Sequence, residues 1–385
     1  VTKLGYFIID SFTGLIPALS HARVVKTGSP SLLKQIHDVY GDTKVYIARD
    51  FGQADDFARW ESGRILTDPV GAAKYWVDAF RPAMTLTPWA KWESFNEMSN
   101  WDWMLQYGKF EAERQRIMHE EGFSACIGNF STGSPPIKPD TNDPWEHFYP
   151  ALEACDLYSN YLGLHEYGGL YMDMFYGPNQ REQMLANQRI EMPPTYEEGW
   201  LFGRYRKVWR THILPNGWTR IKIVLTELGL DRAGTDVIDK LVGYPVGPWT
   251  QCQAYWAAHD HQLDGALYYE KMLEWADRQL YRDYYVVGAT IFCFGALSPV
   301  WQQWDVRGRV FECLNVYMET HRPPNEKIVS TGTRVLNVRT HPDFQSPVLT
   351  TLQNGTVVEV ENMLDNWSYI RTGNITGWVF NDWLT

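Results

Sequence analysis

The chain has few cysteines, no long apolar run and no excess of positive charge, and each shortage excludes a class of protein. Its five cysteines, Cys126, Cys155, Cys252, Cys293 and Cys313, are odd in number and scattered through 385 residues, unlike a disulfide framework. No C-x-x-C pair occurs, so no metal site of the zinc-ribbon kind is expected. Cys126 and Cys293 lie in apolar runs and read as core residues. The longest apolar stretch, residues 286–297, is interrupted by glycines and too short to cross a bilayer, so membrane insertion is not expected. A net charge of −11 argues against nucleic acid and anionic membrane surfaces, which are bound by basic patches. It suits a neutral or cationic substrate. No basic, then apolar, leader opens the sequence, so a signal peptide is absent or already removed.

Aromatic residues are abundant, with 18 Trp and 22 Tyr. Enclosing Trp in a core requires a partner for its N–H, so much of this excess is assigned to a cleft lined with flat rings. The apolar C–H faces of sugars stack on such surfaces, with polar groups at the rim for their hydroxyls. A hydrophobic content of 44% and a charged content of 21% are those of a globular protein with a large core.

Short β-rich runs alternate with helical patterns up to about residue 320. The runs are residues 3–9, 22–26, 44–48, 91–95, 123–127, 161–165, 221–226 and 289–294. Helical patterns include residues 71–80, 104–120 and 251–260, and Gly122 is placed to stop the second of these. Eight strand–helix alternations imply parallel pairing and indicate a (β/α)8 TIM barrel over residues 1–321 more than an open sheet, which counting alone leaves as the alternative. Two prolines in residues 322–327, RPPNEK, mark a linker over residues 322–330. Residues 331–385 then read as a small all-β barrel. Strands are expected at 333–339, 355–361, 367–372 and 377–380, with turns at 354–355 and 373–374.

The signatures LNVR (336–339), LQNG (352–355), NWSYIRT (366–372) and GWVFNDWL (377–384) resemble those of the bacterial SH3-like domain. That resemblance implies attachment of a secreted hydrolase to a cell wall, without identifying the glycan cleaved.

Two glutamates close apolar strands. In WESFNE, Asn96-Glu97 ends the fourth run, and in VLTELG, Glu227 ends the seventh. Strict alternation over residues 93–97 sends Glu93, Phe95 and Glu97 to one side and Ser94 and Asn96 to the other. Carboxyl groups at the C-terminal ends of barrel strands sit where such barrels build active sites, and two of them can flank one glycosidic bond. Both positions resemble clan A glycoside hydrolases, in particular family 5. The resemblance implies Glu97 as acid/base, Glu227 as nucleophile and Asn96 as a hydrogen-bond donor to the sugar 2-hydroxyl. His165 and Tyr167 resemble the family's His-x-Tyr, which orients the nucleophile and contacts the sugar; Glu166 between them has no assigned role. Arg49, closing the third run, either hydrogen-bonds Glu227 or forms a surface ion pair. Trp301 and Trp304 follow the eighth run, where the clan carries its sugar platform, and Trp101 and Trp103 are further subsite candidates. His259 and His261, two apart on a helical pattern, do not face together as metal ligands.

The expectation is a retaining glycoside hydrolase of a β-linked polysaccharide, needing no cofactor or metal, extracellular or wall-associated, and monomeric. A peptidoglycan-cleaving lysin and a silent carbohydrate-binding wall protein are the alternatives.

Overall fold

The computed structural model describes residues 2–10, 13–49, 63–98, 100–138, 142–174, 198–199, 201–232, 243–244, 247–320, 326–372 and 375–384. Residues 322–325 of the expected linker and the turn at 373–374 lie outside the described residues.

Eight strands form a closed parallel barrel: β1 (Leu4–Ile8), β2 (Val24–Thr27), β3 (Val45–Ala48), β4 (Lys91–Trp92), β5 (Ser124–Phe130), β6 (Tyr161–Gly168), β7 (Lys222–Leu230) and β8 (Val286–Phe294). Each pairs with the next, and β8 closes on β1. Each of the eight overlaps one of the strand runs read from the sequence. Their residues are buried on both faces, as a parallel sheet enclosed by helices requires. Alternate residues face alternate ways. Val24, Ile47, Cys126 and Val224 pack together inside the barrel, whereas Val25 and Ile223 belong to the shell beneath the helices.

The helices obey local rules. In α1 (Pro30–Tyr40), Ser29 caps the Leu32 N–H and proline opens the first turn. In α2 (Pro69–Leu86), Asp68 caps the Gly71 N–H. The next helix, α3 (Met104–Glu120), ends at Gly122, whose φ of +82° is the left-handed conformation that glycine adopts without a Cβ clash. Further round the barrel come α4 (Tyr149–Leu157), α5 (Arg204–Val208), α6 (Trp249–His259), α7 (Gly265–Tyr281) and α8 (Arg309–Thr320).

The fourth strand departs from the sequence reading. It ends at Trp92 instead of Phe95, and alternation fails beyond it. Glu93 turns inward to Lys26. Ser94 turns outward and donates to the Glu111 carboxylate on α3, and Phe95 also turns outward, against Phe110 at 5.3 Å between ring centroids. Two successive outward residues leave both Asn96 and Glu97 at the barrel mouth.

The C-terminal module is one antiparallel sheet in the order β11-β10-β14-β13-β12-β9. Its strands are β9 (Glu326–Ile328), β10 (Leu336–Arg339), β11 (Val348–Leu352), β12 (Val357–Leu364), β13 (Trp367–Thr372) and β14 (Ile375–Phe380). β11 was not anticipated. β9 lies within the expected linker, yet it pairs with β12. The module has its own core of residues such as Val338, Val358, Ile370 and Val379.

The module packs on the barrel mouth formed by the strand N-termini, opposite the end that carries Glu97. The Tyr284 ring lies 5.6 Å from Tyr369 and 5.2 Å from Trp378. A cavity of about 440 Å³ beside it is lined by Lys3 and Lys222 of the barrel and Glu361 of the module. Deleting residues 326–385 therefore uncovers apolar barrel surface at Tyr284 and Val286. The expected cost is about 1–2 kcal/mol, seen as a fall of roughly 2–8 °C in Tm, with activity on soluble substrate kept because the barrel has its own core. Calorimetry of the truncated protein checks this: an unchanged Tm would mean the contact stabilises nothing.

Candidate active site

The carboxyl pair is built by backbone geometry at the barrel mouth. Glu97 has φ of +46° and Asn129 has φ of +48°, a region disfavoured for residues with a Cβ. The Glu97 N–H donates to the Asn129 carbonyl at 3.0 Å, and the Asn129 side-chain oxygen accepts from the Thr226 hydroxyl at 3.2 Å. One residue of β5 thus ties the backbone of Glu97 to the strand that carries Glu227. Such strain persists where the surroundings over-determine it.

Glu97 and Glu227 approach each other on either side of His165. Nδ1 of His165 lies 2.8 Å from Glu97 Oε1 and 3.4 Å from Glu227 Oε2. One oxygen from each carboxyl and a nitrogen of His165 all lie within 4.8 Å of one another. Glu97 is substantially exposed, with 40% of its side chain accessible, against 9% for Glu227. Glu227 Oε2 also accepts the Tyr167 hydroxyl at 2.7 Å. Its Oε1 faces the Lys26 ammonium at 3.5 Å and the Arg49 guanidinium at 4.0 Å.

These contacts set the charge of Glu227. Burial pushes its carboxyl up, but His165, Lys26, Arg49 and the Tyr167 hydroxyl together outweigh burial and hold it below the usual range. The ionised form is therefore the resting one. Burial, with the adjacent Glu227 charge, raises the Tyr167 phenol far above its ordinary value, so Tyr167 stays a neutral donor. Tyr167→Phe is expected to lower kcat/KM by about 10–100-fold, the worth of a hydrogen bond to a buried charge. It should also move the acid limb of the pH profile upward, because Glu227 then ionises less readily. An acid limb that stays in place would detach Tyr167 from the ionisation of Glu227.

The remaining sequence candidates divide. Arg49 is buried and donates to the Asn96 side-chain oxygen at 2.7 Å, so it is neither a surface ion pair nor a direct hydrogen-bond partner of Glu227. With that oxygen engaged, the Asn96 NH2 is the group left to donate. Arg49, Asn96, Tyr167, Trp301 and Trp304 join both glutamates around a cavity of about 610 Å³. The Trp301 and Trp304 rings lie 5.7 Å apart, both edge-on to Phe292. His165 is buried beneath the two carboxyls and does not line this cavity. Trp101 and Trp103 are half-buried against the barrel core and are not among the residues lining the cavity.

The assignment of most aromatic excess to a cleft is not met either. Trp76, Trp92, Trp145 and Trp256 are fully buried, and Trp301 and Trp304 are the tryptophans lining the cavity among the described residues. Glu166 faces outward from the barrel and accepts the Gly203 and Tyr205 N–H groups at the start of α5; its role is structural.

Four acidic or basic residues around the site were missed. Lys26 and Glu93 lie buried inside the barrel behind Glu227. Asp10 and Asp231 line the cavity. Burial raises the Asp231 carboxyl, and the Glu97 and Glu227 charges add to the effect. Glu97, His165 and Glu227 have the donor atoms to hold a cation, but Lys26 and Arg49 beside Glu227 oppose positive charge there.

The fold and site define a (β/α)8 barrel with a paired-carboxylate cleft at the C-terminal ends of its strands. Its C-terminal module, residues 334–385, matches the bacterial SH3 domain family. Among solved structures, a family 128 (subgroup II) endo-β-1,3-glucanase from Sorangium cellulosum aligns at 12% identity and TM-score 0.43, over 83% of this chain and 99% of that one. A β-glucuronidase from Ruminococcus gnavus aligns at 13% and 0.44; the match covers 83% of this chain and 50% of the glucuronidase. An endo-β-1,4-glucanase from Xanthomonas axonopodis pv. citri, a triple mutant, aligns at 11% and 0.38, over 83% and 99%. The curated protein sequences contain no match to the chain.

Proposed function

We propose that the protein is a glycoside hydrolase that cleaves a β-linked polysaccharide with retention of configuration. The observation that carries the reading is the pairing of Glu97 and Glu227, with one oxygen of each within 4.8 Å of the other, at the C-terminal mouth of the barrel. Carboxyls about 5–5.5 Å apart suit double displacement, whereas inversion needs room for a water between them. Glu227, ionised and held by Tyr167, attacks the anomeric carbon. Glu97, the more exposed partner, gives a proton to the departing oxygen. In the second step Glu97 takes a proton from water, which displaces Glu227. Trp301 and Trp304 offer the flat surface for a sugar ring, and the Asn96 amide offers a donor for its hydroxyl.

The module favours a wall-associated version of this reading, in which the enzyme is extracellular and the glycan is peptidoglycan or a polymer bound to it. It presents a shallow groove of about 240 Å³ in which Phe344, Trp367, Phe380 and Trp383 meet Arg334 and Arg339. The test is release of reducing ends from a panel of soluble β-glycans and purified cell walls, by the wild type and by Glu227→Ala. No release from any member would leave a carbohydrate-binding protein.

A further inference from the structure

Lys26 is the third residue of β2, and its side chain is wholly enclosed in the barrel. A buried ammonium requires counter-charges. It has two, Glu93 at 3.1 Å and Glu227 at 3.5 Å, and it lies 4.3 Å from the Phe7 ring centroid. Glu93 is as deeply buried as Lys26. Among the described residues neither oxygen of its carboxyl has a hydrogen-bond donor; the ammonium faces it as an ion pair and donates its hydrogen bond to Glu227. One cation is thus shared between a carboxylate that reaches the cleft and one that does not.

We infer that Lys26 and Glu93 are positioning residues that set the ionisation of Glu227 from inside the barrel, Lys26 favouring the carboxylate and Glu93 restraining that effect. Glu93 takes part of the Lys26 charge, so Glu227 is held ionised without being locked in a tight ion pair that would blunt its attack. This inference rests on the nucleophile role proposed for Glu227, but the charge coupling itself does not require it.

Other groups also face Glu227: Arg49 at the end of β3, Glu97 beyond β4, His165 and Tyr167 on β6, and Asp231 after β7. The Cys293 thiol on β8 feels its charge, and Cys126 on β5 feels Lys26 and Glu93. Burial holds the Cys126 thiol neutral, so opposite responses to changing Lys26 and Glu93 isolate the pair.

The experiment is carboxyl NMR titration of full-length protein labelled with 13C-glutamate, Glu227→Gln serving to assign the resonance. Lys26→Met should raise the Glu227 titration midpoint by about 1–3 pH units, and Glu93→Gln should lower it by about one. The acid limb of kcat/KM should move the same way in each variant. Glu93→Gln is nearly isosteric and carries the test alone if Lys26→Met fails to fold. An unchanged midpoint in Glu93→Gln, or shifts of the same sign in both variants, overturns the inference. Opposite midpoint shifts in a protein that hydrolyses no glycoside would retain the coupling and dismiss the proposed reaction.

Discussion

Glu227→Ala is expected to lose roughly 10⁴-fold or more in turnover on every substrate, since no covalent intermediate can form without the attacking carboxylate. The loss should not depend on leaving group, because the bond to the anomeric carbon is what is missing. Azide should restore part of the activity on an activated aryl glycoside. It would enter the space vacated by the carboxyl and attack the anomeric carbon directly, giving a glycosyl azide of inverted configuration. NMR of that product reads the anomer. A retained azide would mean that another group still forms the intermediate, and wild-type turnover in Glu227→Ala would remove this residue from the reaction.

The second large effect depends on the leaving group. Glu97→Ala should slow hydrolysis of natural linkages by about 10²–10⁴-fold, because an alkoxide departs poorly without a proton. Formation of the glycosyl-enzyme from an aryl glycoside with a good leaving group should be nearly spared. Its breakdown should then limit the rate, so the intermediate accumulates and shows as a burst. Azide needs no proton removed, and it should accelerate breakdown to a product of retained configuration. Pre-steady-state release of the phenol and NMR of the azide adduct measure both. Equal slowing of natural and activated substrates would refute an acid/base role for Glu97.

The parts of this architecture legible in the sequence were those written in local periodicity. The eight strand runs, each buried on both faces, could be counted, and their ordinal positions led to Glu97 and Glu227. Residue-by-residue direction was less legible where the chain leaves its strand. Ser94 and Phe95 both turn toward α3 because Glu111 and Phe110 offer them partners there, and no alternation rule contains that information. Trp101 and Trp103 follow Glu97 closely in sequence, yet the short turn they form folds back on the core.

Lys26 and Glu93 had a usable signal. Lys26 lies two positions after the inward-facing Val24 and Glu93 two after Lys91, and alternation along the strand points each into the barrel. Their meeting with Glu227 joins β2, β4 and β7, however, and such long-range convergence is fixed only by barrel closure. The same holds for β9. Pro323 and Pro324 just before it suggested a linker, whereas its partner β12 lies some thirty residues further on.

The direct test of the central claim is to trap the intermediate. The wild-type protein is incubated with an activated 2-deoxy-2-fluoro glycoside of the sugar it hydrolyses, digested, and analysed by peptide mass spectrometry. The fluorine slows both steps, and the good leaving group restores only the first, so the glycosyl-enzyme accumulates. The expected result is one sugar per chain, attached to the carboxyl of Glu227 in the segment VLTELG. A label on any other residue, or no label from an enzyme whose natural product has inverted configuration, would contradict Glu227 as the nucleophile of a retaining hydrolase.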